Sequence, residues 1–154
     1  MVKTFRGRAL VAGSAEGTAI ISSQPISFWG GVDPATGEII DRRHELSGAN
    51  ISGKVFVFPH GKGSSTASAI FLEAARAGTA PSAIINTKVA PMIALGAILA
   101  EELYHKTIPV IVLPQEEFEA IEVGDCLTVD PDGTITVRRD PPDNRCQAAT
   151  TTET

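Results

Sequence analysis

Three short, largely apolar runs mark the middle of the chain: residues 55–58, which are unbroken, 83–86 and 108–113. Such runs are typical of strands that are buried on both faces of a parallel sheet. Between them, segments 69–77 and 91–104 have helical character, because Gly78 follows the first and Pro91 begins the second. The pattern therefore predicts a strand–helix–strand–helix–strand unit with parallel pairing.

Both ends of the chain are β-rich in character. Residues 5–11 and 18–22 read as two strands, with a turn or bulge at 13–17. Residues 125–130 and 134–138 flank Pro131-Asp132-Gly133, which predicts a hairpin. We expect one α/β domain over residues 1–139, built as a compact sandwich of sheets and helices, and a disordered polar tail over residues 140–154.

Composition narrows the class of protein. The 154-residue chain is 43% apolar and 20% charged, as is ordinary for a globular domain. Its net charge of −5 argues against nucleic acid as a partner. No stretch is long and apolar enough to span a membrane, and the first residues do not lead into a signal peptide, so we expect a cytoplasmic protein.

Residues that could bind a metal are scattered along the chain. They comprise Cys126 and Cys146, of which Cys126 falls in a strand-like run, and the histidines His44, His60 and His105. Their spacing does not match that of a metal site, so we predict that this chain ligates no metal.

The clearest candidate site is the segment 59–68, which joins the first buried strand to the first helix. Gly61 and Gly63 allow close backbone approaches, and Ser64 or Ser65 can cap the helix. The free N–H groups of the first helical turn favour an anion, and Lys62 adds a positive charge. A plain loop with an N-cap would look the same. The segment is not a P-loop, because Lys62 precedes the second glycine.

The long loop over residues 24–37 contains the only tryptophan, in the run Phe28-Trp29-Gly30-Gly31. Two interpretations stay open for this aromatic pair. It could anchor the loop in the core, or it could form an apolar plug that docks on a partner.

Several segments together resemble the small subunit of the aconitase X family. They are Gly13–Gly17, Ile26–Asp33, Gly61–Ser65, Gly96–Ala100 and Val123–Asp125, and the resemblance covers about residues 1–138. It implies a swivelling β/β/α domain similar to the C-terminal domain of aconitase, and a large catalytic subunit, as a heterodimer or a multiple of it, that holds an iron–sulfur cluster on its own cysteines. Within the family, the chain is most similar to small subunits of archaeal enzymes that dehydrate mevalonate 5-phosphate; enzymes that dehydrate cis-3-hydroxy-L-proline are related.

The resemblance also implies roles for individual residues. Aconitase-type domains carry Gly-Ser-Ser-Arg here, and the first serine, which corresponds to Ser64, removes the proton next to a carboxylate. Lys62, Gly63 and Ser65 are the expected substrate-binding residues, and the substrate is expected to be a small phosphorylated hydroxy acid. Thr66 replaces the arginine that binds the substrate carboxylate, so the partner would supply much of that binding. The alternative is a non-catalytic module whose loop only binds phosphate.

Overall fold

The computed structural model describes residues 2–62 and 66–139, so that Met1, residues 63–65 and the expected tail over 140–154 lie outside the described residues. The described part contains eight strands and four helices. In chain order they are β1 (Val2–Arg6), β2 (Arg8–Val11), β3 (Ala15–Ile21), α1 (Phe28–Gly31), β4 (Val55–Val57), α2 (Thr66–Ala77), β5 (Ala83–Asn86), α3 (Pro91–Tyr104), β6 (Val110–Val112), α4 (Gln115–Glu119), β7 (Cys126–Val129) and β8 (Thr134–Arg138).

The strands form a single mixed sheet in the order β1-β8-β7-β3-β4-β5-β6-β2. β4, β5 and β6 are parallel neighbours, which confirms the predicted parallel unit. β3 joins this unit to the hairpin of β7 and β8. Its first half pairs with β7 in antiparallel orientation, and its second half pairs with β4 in parallel orientation.

The two edges of the sheet meet at Gly7. β1 and β2 are the edge strands, yet Gly7 alone separates them along the chain, so the predicted single strand over 5–11 is wrong. The Gly7 N–H donates to the Gly133 carbonyl at 3.0 Å. Gly133 has a φ of 92°, and a Cβ there would lie 2.5 Å from the Gly7 oxygen. Glycine at the hairpin turn thus lets the sheet close almost completely into a barrel-like layer, with the helices packed against it, as the expected α/β arrangement of sheet and helices requires.

Other boundaries differ from the sequence-based expectation. α2 begins at Thr66, earlier than expected, and β3 begins at Ala15, so the predicted turn over 13–17 is shorter. The five-residue α4 was not predicted, because one helical turn is too short to show a period. Cys126 is buried, as expected for its strand-like run, but it is disulfide-bonded, which was not expected.

Two hydrophobic clusters, one on each face of the sheet, explain why the central strands are largely apolar. Alternate residues of β4 face opposite sides, so that Val55 and Val57 pack inside the curved sheet while Phe56 packs against the helices. β5 divides in the same way, with Ile85 inside and Ile84 on the helix side. The central strands are therefore buried on both faces, which is why their sequence does not alternate between apolar and polar residues.

The long connection between β3 and β4 is packed rather than loose. Ile26, Phe28, Val32, Ile39 and Ile51 are all buried in the helix-side cluster. Isolated bridges between Val32 and Ile39 and between Glu38 and Asn50 fold the connection back on itself. This places its polar turns beside the end of β4. Within the described ranges, no helix combines the length and apolar character needed to cross a membrane.

Candidate anion-binding cleft at the end of strand β4

The segment after β4 is held between a neighbouring strand and a loop. The Thr87 amide donates to the Pro59 carbonyl at 2.9 Å, and the Lys62 amide donates to the Ile26 carbonyl at 3.1 Å. Gly61 forms a parallel bridge with Ile26. A Cβ at Gly61 would lie 2.7 Å from Ile93 Cδ1 at the start of α3, so the missing side chain makes room for the Ile93 side chain.

The remaining predicted site residues fall where the structure gives no description. Gly63, Ser64 and Ser65 lie outside the described residues, between Lys62 and the first residue of α2, Thr66. The assignments of Ser64 as the base and of Gly63 and Ser65 as binding residues therefore stay predictions. Lys62 alone among the four predicted residues can be placed.

Two cavities adjoin Lys62. The smaller, about 80 Å³, is mainly apolar and is formed by the start of α3 and the loop around Phe28. The larger is a cleft of about 640 Å³. Its lining comprises Gln24, Pro25, Ser27, Trp29, Gly30, Gly31, Asp41, Arg42, Arg43, His44 and Lys62. We call this larger cavity the basic cleft, because three of its lining residues are cationic and one is acidic.

A hydrogen-bonded cluster fixes the turn that carries Arg42 and Arg43. The Leu46 amide donates to His44 Nδ1 at 3.1 Å, which leaves the ring proton on Nε2, 3.3 Å from Ser22 Oγ. Ser22 Oγ in turn donates to Glu45 Oε2 at 2.8 Å. Both His44 and Ser22 are buried, so the turn is tied to the end of β3 by contacts shielded from water.

Glu45 completes this cluster. Its carboxylate accepts the Ser23 amide at 2.6 Å as well as the Ser22 hydroxyl. These bonds lower the pKa of Glu45 below its ordinary value, the Ser23 amide having the largest effect and the Ser22 hydroxyl the next. The ionised carboxylate is therefore the form that holds the turn in place.

The aromatic pair beside the cleft divides between the two interpretations left open by the sequence. Phe28 is buried and meets the Phe71 ring of α2 edge-on, with ring centroids 5.3 Å apart. Trp29 is 60% exposed on the rim of the basic cleft. Trp29 and Gly30 leave helical geometry, and Gly30 has a φ of 78°, a backbone conformation that favours glycine.

Sequence reasoning missed Arg42 and Arg43. They occupy a polar turn without hydrophobic periodicity, far from the glycine segment along the chain, and only the folded connection brings them to Lys62. A signal was nevertheless present, since two adjacent arginines stand out in a chain with a net charge of −5.

The described residues do not fit an iron–sulfur cluster. Over residues 2–62 and 66–139, no group of three or more cysteine, histidine or acidic side chains could hold a metal ion. A cysteine thiolate is the soft ligand that iron–sulfur clusters prefer, but Cys126 is disulfide-bonded.

Comparisons with known proteins agree with this architecture. Residues 4–137 match the aconitase X swivel domain family. The chain is 43% identical over 126 residues to the phosphomevalonate dehydratase small subunit of Methanosarcina mazei, covering 81% of this chain and 83% of that one. It is 42% identical over 135 residues to the cis-3-hydroxy-L-proline dehydratase of Pseudomonas aeruginosa, covering 88% of this chain but only 23% of that protein.

A solved structure gives the same result for the fold. The crystal structure of Thermococcus kodakaraensis aconitase X, in its holo-form, superposes with a TM-score of 0.80 at 35% identity. The superposition covers 89% of this chain and 99% of the matched chain. The expected swivel-domain fold is confirmed, and the chain belongs to the aconitase X swivel domain family.

Proposed function

We propose that this chain is the small subunit of a heteromeric dehydratase that converts (R)-5-phosphomevalonate to trans-anhydromevalonate 5-phosphate and water, in isoprenoid biosynthesis. The observation that carries the proposal is the 43% identity to a phosphomevalonate dehydratase small subunit across most of both chains. The relatives named as small subunits imply a large partner subunit, and we expect a heterodimer or a multiple of it in the cytoplasm.

In this proposal Ser64 is the general base. It takes a proton from the carbon next to the substrate carboxylate, and the C–O bond on the following carbon breaks as the double bond forms. The departing hydroxide takes up one proton and leaves as water, which balances the proton that Ser64 removes. A serine needs help to act as a base, because its alkoxide must be stabilised. Lys62 and the first turn of α2 flank Ser64 along the chain, and a cation and a helix N-terminus both favour negative charge.

The iron–sulfur cluster is expected on the large subunit. The described residues offer no ligand set for it. What this chain contributes is the base and part of the substrate-binding surface. We expect Lys62 to bind the carboxylate, because it stands two residues before Ser64 in the sequence and its amide donates to the Ile26 carbonyl.

A second candidate is the dehydration of cis-3-hydroxy-L-proline. It is favoured by the 42% identity to the enzyme from Pseudomonas aeruginosa over 88% of this chain. That substrate carries no phosphate, whereas the basic cleft presents three cationic side chains. The excess of positive charge supports the phosphorylated substrate, and it also suits the alternative of a non-catalytic phosphate-binding module.

The test is reconstitution with the large subunit under anaerobic conditions, which protect the cluster. The complex is offered 5-phosphomevalonate and cis-3-hydroxy-L-proline separately, and the alkene product is followed by NMR. Turnover of hydroxyproline without turnover of phosphomevalonate would overturn the substrate assignment. Lack of turnover of either substrate in a complex with an intact cluster would favour the non-catalytic module.

The role of Ser64 is tested in the same complex. Removal of a positioned base commonly lowers the rate by about 10²–10⁴-fold, so Ser64→Ala should lower kcat by that range. Ser65→Ala is the comparison: as a change to an expected binding residue it should raise KM, with kcat changed far less than in Ser64→Ala. If the Ser65 variant is inactive and the Ser64 variant is active, the base is assigned one residue too early.

A further inference from the structure

The basic cleft concentrates positive charge in an acidic molecule. Arg42, Arg43 and Lys62 contribute three positive charges to its lining, and Asp41 contributes one negative charge. The whole chain has a net charge of −5, so this local excess of positive charge is the reverse of the overall balance. A concave surface lined by one sign of charge attracts ligands of the other sign.

The two arginines of the cleft differ from the arginines that have structural partners. Arg6, Arg76, Arg138 and Arg139 each form an ion pair with a carboxylate. Among residues 2–62 and 66–139, no carboxylate pairs with the guanidinium of Arg42 or Arg43. Arg8 also forms no ion pair with a described carboxylate, but it lies outside the cleft, so Arg42 and Arg43 are the unpaired arginines that line it among the described residues.

The backbone beneath these arginines is fixed. The Arg43 amide donates to Asp41 Oδ1 at 3.0 Å, and the His44 amide donates to the Asp41 carbonyl at 3.1 Å. The Glu45 amide is bound by the Gln24 side chain at 2.9 Å. A turn held in this way presents two adjacent guanidinium groups at little further cost in backbone entropy when a ligand binds.

We propose that Arg42 and Arg43 bind the phosphate group of the substrate, while Lys62 binds the carboxylate end. This inference rests on the proposed function and names the binding residues for it. In the substrate the abstracted proton is next to the carboxylate, and the phosphate is at the opposite end of the carbon chain. Lys62 stands two residues before the predicted base in the sequence, so we assign the carboxylate end to it and the phosphate end to the other cationic residues of the lining.

Charge and geometry both favour phosphate at the arginine pair. A phosphate monoester carries a charge between about −1.5 and −2 near neutral pH, and the two adjacent guanidinium groups bring two positive charges to one place in the lining. Guanidinium groups bind phosphate oxygens in a bidentate manner, whereas an ammonium group acts as a point charge. This assigns phosphate binding to this chain, while Lys62 is its one proposed contact to the carboxylate.

The test uses Arg42→Gln, Arg43→Gln and the double variant in the reconstituted complex with 5-phosphomevalonate. A charge-assisted hydrogen bond contributes about 1.5–3 kcal/mol, so each single variant should raise KM by about tenfold or more, with kcat changed far less. Lys62→Ala should lower kcat as well, because it acts next to the base. Arg76→Gln, which removes an exposed arginine paired with Glu73, is the matched control and should keep the wild-type KM.

A second measurement separates failure of this inference from failure of the proposed function. Inorganic phosphate is titrated into the full-length chain alone, with the arginine Nε–H and Trp29 indole signals followed by NMR. We expect shifts at Arg42, Arg43 and Trp29 in the wild type and loss of these shifts in the double variant. If the wild-type complex does not dehydrate phosphomevalonate, the proposed function fails, and the titration still tests the phosphate site.

Two results would overturn the inference. One is an active complex in which the double variant keeps the wild-type KM and phosphate shifts no signal in the cleft. The other is a double variant that loses affinity for the large subunit while its KM stays unchanged, because the arginines would then bind the partner protein. Asp41→Asn checks that positive charge in the cleft favours binding. It removes a negative charge from the lining while keeping the Oδ1 acceptor, so it should not raise KM.

Discussion

The hairpin end of the molecule and the basic cleft use the same residue types for opposite purposes. At the hairpin end, Arg138 pairs with Glu16 at 2.8 Å and Arg139 pairs with Asp125 at 3.0 Å. At the cleft, Arg42 and Arg43 form no ion pair with a described carboxylate. Paired arginines belong to the framework, whereas arginines left without carboxylates beside a cavity are available for a ligand.

The charged groups of the hairpin end are also more buried than those of the basic cleft. The Asp125 carboxylate is 2% exposed and also accepts the Glu122 amide at 2.8 Å. Its negative charge raises the pKa of the Arg139 guanidinium above the ordinary value, mainly through their hydrogen bond. A charge buried in this way must keep its partners, because an unpaired buried charge is costly. The cleft charges, which are exposed to water, carry no such constraint and can exchange solvent for a substrate.

The largest predicted effect concerns the two adjacent aromatic residues, which show that the cleft end also contains framework residues. Phe28→Ala removes a buried ring from the helix-side cluster and should lower the free energy of unfolding by about 3–5 kcal/mol. Trp29→Ala removes an exposed ring and should change it by less than about 0.5 kcal/mol. Chemical denaturation of both variants measures the difference.

We further expect Trp29 to contact the large subunit, because a large exposed aromatic ring on a cleft rim is typical of interface residues. Trp29→Ala should therefore weaken association by about tenfold or more. Co-purification and titration calorimetry with the large subunit measure it. Wild-type affinity in this variant, with a normally folded chain, would place the interface elsewhere.

The next prediction tests the hairpin end. Asp125→Ala leaves the Glu122 amide and the Arg139 guanidinium without their buried acceptor, and it should lower the free energy of unfolding by about 2 kcal/mol. Arg6→Ala is the control, because the Arg6–Asp132 pair is exposed and the Thr134 amide keeps its Asp132 acceptor, so its denaturation midpoint should match the wild type. Equal losses of stability in the two variants would mean that the buried ion pair contributes no more to stability than the exposed one.

The sequence predicted the central fold because local signals and tertiary packing agree there. The apolar runs at β4 and β5 are buried on both faces, and Gly78 ends α2 with a φ of 82°. The closure of the sheet was not predictable in this way. It depends on contact between Gly7 and Gly133, which are distant along the chain, and no local pattern specifies such a contact.

Only the part of the candidate site that has a local sequence pattern could be predicted. The glycine segment with Lys62 has a local signature, namely glycines and serines between a strand and a helix. Arg42 and Arg43 have none, because their position depends on the His44–Ser22–Glu45 hydrogen bonds formed across the long connection. A search for adjacent cations in a chain of opposite net charge would have found them as candidates, but not their proximity to Lys62.

The smallest predicted effect concerns that hydrogen-bonded connection and its dependence on pH. The pKa of Glu45 in the folded protein is below the ordinary value of 4.5, because the Ser23 amide and the Ser22 hydroxyl donate to the carboxylate. A lowered pKa means that Glu45 contributes stability above pH 4.5 and loses that contribution as the pH falls through its lowered folded value.

Glu45→Gln cannot ionise, so it should be slightly less stable than the wild type near neutral pH, by at most about 1 kcal/mol at this exposed position. The gap should shrink as the pH falls below 4.5, and denaturation curves at pH 7 and in the acid range measure it. A gap that stays constant down to acid pH would mean that the shape of the side chain, rather than its charge, holds the Arg42–Arg43 turn against the end of β3.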